Sequence, residues 1–428
     1  MSLENTMPES FLGAVAGFEG VSDGYTAIHG PTGCKFYPSA AAEEYFIRPG
    51  SNLPRARSPL IMGSIYFFGQ PRVPCTYLDM DVFVNGASVR LKDMMSQIQE
   101  MKPTVISVIN SPGASLIGED LSSLEADVPV CTMDHAEYSG TLCDGFQDAV
   151  LEILDKVRPE KKGKGSGINL TGISISHLHW QDTVADLTAL LEACGVKVNL
   201  CVGAGWSGED IRNSADAELT VPIYPEYGDR IASFYENEFG IPSFISPEGA
   251  PVGFHALEAW IKGICGCLNK DPSPALEIIK EKRRKTADVL LSMEARHALP
   301  KGRMFSIQAD GSVAYAVTRF LHEYLGMVPV AVKCRGGAQW DSKTMSYLES
   351  KGIPVSDEPE ETSTDIIISN GPICAAAIER GSALEAAVIE GPSPQAVTID
   401  PAPPLGLKGT VSLLESVLDT VSRHHRFH

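Results

Sequence analysis

Short β-rich runs alternate with longer stretches of helical periodicity three times along this chain, and nothing else in the sequence constrains its fold as strongly. Such alternation builds strand–helix–strand units, so it predicts an α/β protein with mainly parallel sheets covered by helices. In the first stretch strands are expected at 104–110 and 128–133. A helix at 146–157 would then line up Ala149, Val150, Ile153, Leu154 and Val157 on one face. The Pro-, Gly- and Lys-rich segment 158–167 reads as a solvated linker. The second stretch predicts a strand at 168–176 and a helix at 182–193 with a stripe of Val184, Leu187, Leu190 and Leu191. Gly195 would end that helix, and a strand would follow at 197–202. A long helix near 274–299 carries Lys280, Lys282, Arg283, Arg284 and Lys285, read as a solvated face. The third stretch, from Gly302, predicts strands at 304–307, 328–332 and 365–369. Three α/β domains are thus expected, at 1–165, 166–300 and 301–428.

Bulk properties bound the function. The 428 residues are 43% hydrophobic, enough for several cores, and carry a net charge of −19. So acidic a surface repels phosphate backbones and anionic lipid, which argues against nucleic acid and membrane as partners. The first residues show no basic stretch leading into an apolar run, and no segment offers eighteen consecutive apolar residues. A cytoplasmic protein is expected. Its ten cysteines would then stay reduced, as core residues or metal ligands.

The sharpest motif is Ile28-His29-Gly30-Pro31-Thr32-Gly33-Cys34. Two glycines and a proline make a tight turn poor in side chains, in which an inorganic group can approach the backbone while the thiol of Cys34 faces outward. The alternative is a buried structural cysteine beside an ordinary turn. Cys75 follows a proline-broken segment and precedes Asp79 and Asp81. The segment Asn110-Ser-Pro-Gly-Ala-Ser115 begins where a predicted strand ends and opens a helix, the usual crevice for ligands in open α/β sheets, and its backbone amides favour anionic groups.

On these residues the chain resembles the nitrogenase component 1 family, which includes dinitrogenase subunits, protochlorophyllide and chlorophyllide reductases, cofactor-assembly scaffolds and the cyclase of coenzyme F430 synthesis. The resemblance rests on the His29–Cys34 turn, Leu12-Gly-Ala-Val-Ala-Gly-Phe18, Cys75 with its acidic tail, and Leu116-Ile-Gly-Glu-Asp120, in the family's order. Phe239-Gly-Ile-Pro242, Gly302-Arg-Met-Phe and Thr364-Asp-Ile-Ile-Ile-Ser-Asn-Gly371 extend it over nearly the whole chain. It implies three Rossmann-like domains and an iron–sulfur cluster at a subunit interface. Of the family's three cluster cysteines, Cys34 matches the middle one, while the others fall near Ser10 and Pro112. A large dinitrogenase-type cluster is therefore not expected. A [4Fe–4S] cluster held by Cys34 and Cys75 from each of two chains is our inference, with Gly33 and Ser115 beside it. The catalytic dinitrogenase subunit's cofactor ligands would fall near Tyr224-Pro225 and in the third domain, where no histidine lies between His322 and His424. Dinitrogen reduction by this chain alone is not expected.

The resemblance further implies an oxidoreductase subunit fed by an ATP-dependent iron–sulfur reductase, acting on an unidentified substrate as a homodimer or with a second component 1 chain. The alternative is a non-catalytic partner or assembly scaffold. His135 and Glu137, after the second predicted strand, are candidates for a cluster-flanking or proton-supplying role. Other signals have plainer explanations. Val202-Gly203-Ala-Gly205-Trp206-Ser-Gly208 fits a dinucleotide fingerprint, but Trp206 is bulky for a phosphate turn. His177 and His179 read as surface or loop residues. Cys265 and Cys267 point to different faces of one helix. Cys131, Cys143, Cys194, Cys201, Cys334 and Cys374 read as core packing.

Overall fold

Three separate, all-parallel sheets carry the chain in the computed structural model, which describes residues 10–31, 73–115, 118–134, 140–163, 165–296, 298–391 and 402–426. The first layer comprises α1 (Ser10–Glu19), β1 (Tyr25–His29), α2 (Met80–Asn85), α3 (Ser88–Glu100), β2 (Ile106–Asn110), α4 (Pro112–Ser115), β3 (Val130–Met133) and α5 (Leu142–Val157), with strand order β1-β2-β3. The second comprises β4 (Ile168–Thr171), α6 (Trp180–Ala193), β5 (Val198–Cys201), α7 (Gly208–Asn213), β6 (Leu219–Pro222), α8 (Pro225–Phe239), α9 (Phe254–Cys267) and α10 (Ser273–Glu294), ordered β5-β4-β6. The third comprises β7 (Met304–Asp310), α11 (Gly311–Leu325), β8 (Val328–Arg335), α12 (Ala338–Ser350), β9 (Thr364–Asn370), α13 (Gly371–Arg380), β10 (Ala383–Glu390) and α14 (Gly406–Arg426), ordered β10-β9-β7-β8. The predicted α/β class with parallel sheets is the observed one.

Local chemistry explains the element ends. Every residue of β1 and β2 is buried, as a parallel strand covered on both faces requires. Thr141 starts α5 with a capping box closed by Asp144. α8 begins with Pro225 in its first turn and ends on left-handed Gly240. The helix expected from 146 starts four residues earlier because that capping box lies upstream of the apolar stripe. The strand expected over 168–176 stops at Thr171, because Gly172 turns the chain at φ +70°. β1, β6 and β10 were not anticipated. β6 is the short Leu-Thr-Val-Pro, closed by a proline, and the sequence of β10, Ala-Leu-Glu-Ala-Ala-Val-Ile-Glu, is poor in β-branched residues.

Glycine sets how the layers meet. A Cβ on Gly13 would lie 1.9 Å from Leu142 O, and one on Gly145 would lie 1.8 Å from Ser10 O, so α1 and α5 touch backbone to backbone. The motif Gly203-Ala-Gly205 joins the first two layers. Gly205 N–H donates to Gly20 O (2.9 Å), and a Cβ on Gly203 would sit 2.7 Å from the Phe146 ring. Its glycines are used for packing, and Trp206 is buried beside them at 2% exposure, so this segment is not a nucleotide turn. α14, last in the chain, returns to the second layer, where the Asp186 carboxylate on α6 accepts from Leu407 N (2.7 Å) and Lys408 N (3.1 Å). No helix among the described residues is long and apolar enough to cross a membrane.

Candidate functional site

Among the described residues, two polar clusters lie inside the protein. The first caps the C-terminal edge of the first sheet. His29 ends β1 with its side chain fully buried. The chain at Pro74–Thr76 runs parallel beside it, with Ile28 N donating to Pro74 O (2.9 Å) and Thr76 N to Ile28 O (3.0 Å). The Thr76 hydroxyl accepts from Gly30 N (3.0 Å) and lies 3.0 Å from His29 Nδ1. That hydroxyl is therefore free to donate its own proton to Nδ1, which puts the ring proton on Nε2. Nε2 faces Glu119 Oε2 at 3.1 Å, and Glu119 Oε1 accepts from Ala87 N (2.5 Å). Burial lowers the His29 pKa, and Glu119 opposes the shift only in part.

The glycine of this edge is needed for contact. A Cβ on Gly30 would lie 2.3 Å from Ser111 Oγ, and Ser111 N donates to His29 O (2.9 Å). Ser115, expected beside a cluster, has its hydroxyl 3.0 Å from Asp134 O and 3.2 Å from Ser111 O, tying the ends of β2 and β3 together. Asn110 Nδ2 donates to Asp134 Oδ1 (3.3 Å) across the same gap. Cys75 sits on the added strand opposite Ile28 and is 5% exposed, packed with the layer's core. Gly33, Cys34, His135 and Glu137 lie outside the described residues. The described residues do not by themselves make a cluster site. Among them no group of three or more His, Cys, Asp or Glu is placed to hold a metal, and Cys75 is a single thiol.

The second cluster lies where α5, the second layer and the third layer meet. Sequence reasoning placed His177 at a surface or in a loop. It is in a loop but buried, stacked on Tyr224 with ring centroids 4.0 Å apart and edge-on to Tyr227 at 4.6 Å. Ser174 N donates to its Nδ1 (2.8 Å), which leaves the proton on Nε2, 3.5 Å from Asp310 Oδ2. Tyr227 OH donates to Asp310 Oδ1 (3.4 Å). Glu226, at the start of α8, accepts at Oε1 from Ser312 N (2.9 Å) and Ser312 Oγ (3.1 Å), and Oε2 is buried without a hydrogen-bond partner. Glu390 accepts from Asp310 N (2.6 Å) and pairs with Arg335. A Cβ on Gly337 would lie 3.0 Å from Glu226 Cβ and 3.1 Å from Trp340 Cδ1, so the Arg335-Gly-Gly337 turn closes onto the glutamate. Burial, then the nearby charge of Asp310, pushes the Glu226 carboxyl up to about 8.

Sequence reasoning missed Glu226, Asp310, Arg335 and Glu390, which come from separate elements joined only by the fold. One signal was present: Glu226 directly follows a proline that starts a helix at the end of a strand, the ligand-binding edge of such sheets. The other cysteines follow the core reading. Burial pushes Cys143, Cys201, Cys334 and Cys374 up to about 12 and raises Cys131 as well, so none is a thiolate at neutral pH. Cys265 is buried and Cys267 exposed, as two positions apart on one helix dictates.

Comparison with known proteins places these observations. The family model described as "Nitrogenase component 1 type Oxidoreductase" matches residues 10–422. One subunit of the light-independent protochlorophyllide reductase of Chloroflexus aggregans is 26% identical over 267 residues, 57% of this chain and 46% of that protein. The corresponding protein of Synechococcus sp. strain CC9605 is 24% identical over 282 residues, 61% of this chain and 52% of that protein. The chain thus spans about half the length of the curated relatives it matches. A solved structure titled "Nitrogenase Cp1 at pH 6.5" superposes with a TM-score of 0.76 at 17% identity, covering 98% of this chain and 93% of that one, which shows the fold.

Proposed function

The chain belongs to the nitrogenase component 1 type oxidoreductase family, and from that premise we propose that it is a nitrogenase-like oxidoreductase subunit, fed with low-potential electrons by an ATP-dependent iron–sulfur reductase. The observation that carries this reading is the family match from residue 10 to 422, which spans all three sheets. We assign the cluster to Cys34, with Cys75 as the second ligand and both thiols doubled by a second chain. A [4Fe–4S] group so held would pass electrons singly. The remaining work belongs to side chains. His29, Thr76 and Glu119 fix the end of β1 from which the His29–Cys34 turn departs. The Gly30–Ser111 contact holds the chain at Gly30 against the start of α4.

The Tyr224-Pro225 segment supports a substrate other than dinitrogen. By the family resemblance a dinitrogenase cofactor ligand would fall near it, and Tyr224 is a buried ring stacked on His177. The names of the curated relatives point toward reduction of an organic molecule. With a competent reductase, the pure chain is expected to form neither ammonia from dinitrogen nor ethylene from acetylene, and measurable amounts of either would end the assignment.

Iron and sulfide analysis of the anaerobic protein, combined with native mass, tests the cluster proposal. About two irons per chain in a dimer fit one shared [4Fe–4S] group. Cys34→Ala should lose that iron. Iron content unchanged by the substitution removes Cys34 from the ligand set, and a stable monomer holding a full cluster refutes the shared site.

A further inference from the structure

Each of the three sheets has two outer strands, and an outer strand turns a row of backbone N–H and C=O groups away from its sheet. In every sheet one outer strand is covered by a further stretch of extended chain. Pro74–Thr76 runs along β1. Ser243 bridges to Thr220 of β6, with Phe244 N donating to Thr220 O (3.0 Å). Ser356 bridges to Ala331 of β8, with Val332 N donating to Ser356 O (3.0 Å). The other outer strands are β3, β5 and β10. β3 and β5 have four residues each, and Thr132 N of β3 donates to the Glu152 carboxylate (3.1 Å). β10 has eight residues and, among the described residues, pairs only with β9. Its sequence holds no proline and no lysine, two residues that commonly keep an open strand from pairing. Leu384 is 54% exposed and Val388 37%, and Ile378 on the preceding α13 is 41% exposed.

We propose that β10 is an interaction surface for a second copy of this chain, added antiparallel across a two-fold axis at Ala386 so that the third sheet continues into the partner's. The surface does not depend on the reductase reading above. Its occupant follows from the symmetry of the strand's own sequence. With Ala386 on the axis, Leu384 stands opposite the partner's Val388, Val388 opposite the partner's Leu384, and Glu385 opposite the partner's Ala387. Leu384, Ala386 and Val388 share one face of the strand. A small residue thus falls where two identical side chains must meet, larger apolar ones flank it, and no carboxylate stands opposite another. That last condition matters for a chain of net charge −19, whose copies repel over most of their surfaces. Backbone hydrogen bonds supply the attraction and the cross-strand pairs fix the register. The register break between Val388 and Glu390 limits the pairing to the residues before it. Ala386 packs with Cys374 and Ala377 of α13, while Ala387 and Ile389 join the main core, so both faces of β10 are already backed by protein. A two-fold axis perpendicular to the sheet preserves its faces and puts both α13 helices, each with its exposed Ile378, on the same side.

Cross-linking in the whole protein reads the register. Under diamide, Ala386→Cys should give a disulfide-linked pair of chains on a non-reducing gel, with wild type treated alike as the baseline. Leu384→Cys and Val388→Cys, co-expressed, should link to each other, and neither alone should link to itself. Leu384→Lys and Val388→Lys put charge into the pairing and should each halve the native mass of the anaerobic protein, with iron per chain unchanged and circular dichroism confirming the fold. A cross-link in Ala386→Cys no stronger than in wild type overturns the proposal, as does a native mass unmoved by both lysine variants. A monomeric wild type whose β10 amides resist hydrogen exchange also overturns it, because the chain then covers its own strand. Adding Cys34→Ala to Ala386→Cys should leave the link intact. Loss of the link in that double variant would tie the pairing to the cluster and overturn β10 as a surface in its own right.

Discussion

Two buried imidazole–carboxylate pairs sit among the described residues, and burial acts on opposite partners. At the edge of the first sheet the carboxylate that faces the ring is Glu119, 15% exposed and supported by the Ala87 amide, and it is the buried His29 ring that is pushed toward neutrality. At the junction one carboxylate, Asp310, faces the imidazole, and Glu226 and Glu390 are buried close by. Asp310 takes the His177 and Tyr227 contacts, and Glu226, deeper and next to like charge, is pushed toward the neutral acid. The ratio of acids to bases decides which group gives up its charge. The first arrangement ties two strand ends together, while the second holds a buried carboxyl where three layers meet.

The largest expected effect separates the two pairs by pH. Glu226 has a folded pKa raised from 4.5 to about 8, so its stabilising contribution is complete below 4.5 and is lost as pH rises through 8. Glu226→Gln should flatten that decline by a few kcal/mol, measured as denaturant midpoints across the range. His29 is lowered from 6.5, so its contribution is present above 6.5 and is lost as pH falls through its folded value. An acid limb unchanged in His29→Gln would break the contrast.

Removing the His29 contacts outright should cost less. His29→Ala leaves Glu119 Oε2 and the Thr76 hydroxyl without their ring partner, an expected loss of about 1–3 kcal/mol in chemical denaturation. A neutral result would mean that the edge is held by its backbone alone. The smallest effect concerns Ser115. Its hydroxyl serves only two backbone carbonyls among the described contacts, so Ser115→Ala should cost about 1 kcal/mol. A loss of iron in that variant would instead support the cluster-flanking role read from the sequence.

The same contrast explains what the sequence disclosed. The sheet edge was legible in part, because some of its pieces are near neighbours in sequence: His29 and Gly30 share one motif, and Asn110, Ser111 and Ser115 another, whereas Thr76 reaches His29 only across 47 residues. The parallel sheets were legible because strands such as Thr364–Asn370 centre on β-branched runs, here Ile366-Ile367-Ile368. The junction was not. Glu226 and Ser312 are 86 residues apart, and each looks like an ordinary first-turn residue of a helix. His177 gave a misleading signal, since a histidine in a turn rich in serine reads as solvated until Tyr224 covers it. The fingerprint-like glycines at 203 and 205 misled in the other direction, because interlayer packing makes the same demand for a missing Cβ as a phosphate does.

The return of α14 to the second layer has a consequence for the order of assembly. Asp186 finds its backbone partners at Leu407 and Lys408, 221 and 222 residues later, and Gly253 N donates to Thr410 Oγ1 across 157 residues. A ribosome adding about 5–20 residues per second needs roughly ten to forty seconds to cover the longer interval. During that time α6 and α9 have been synthesised but not yet covered. The second layer is begun before the third and finished after it, so α14 acts as a clasp that closes only once the third layer has been made.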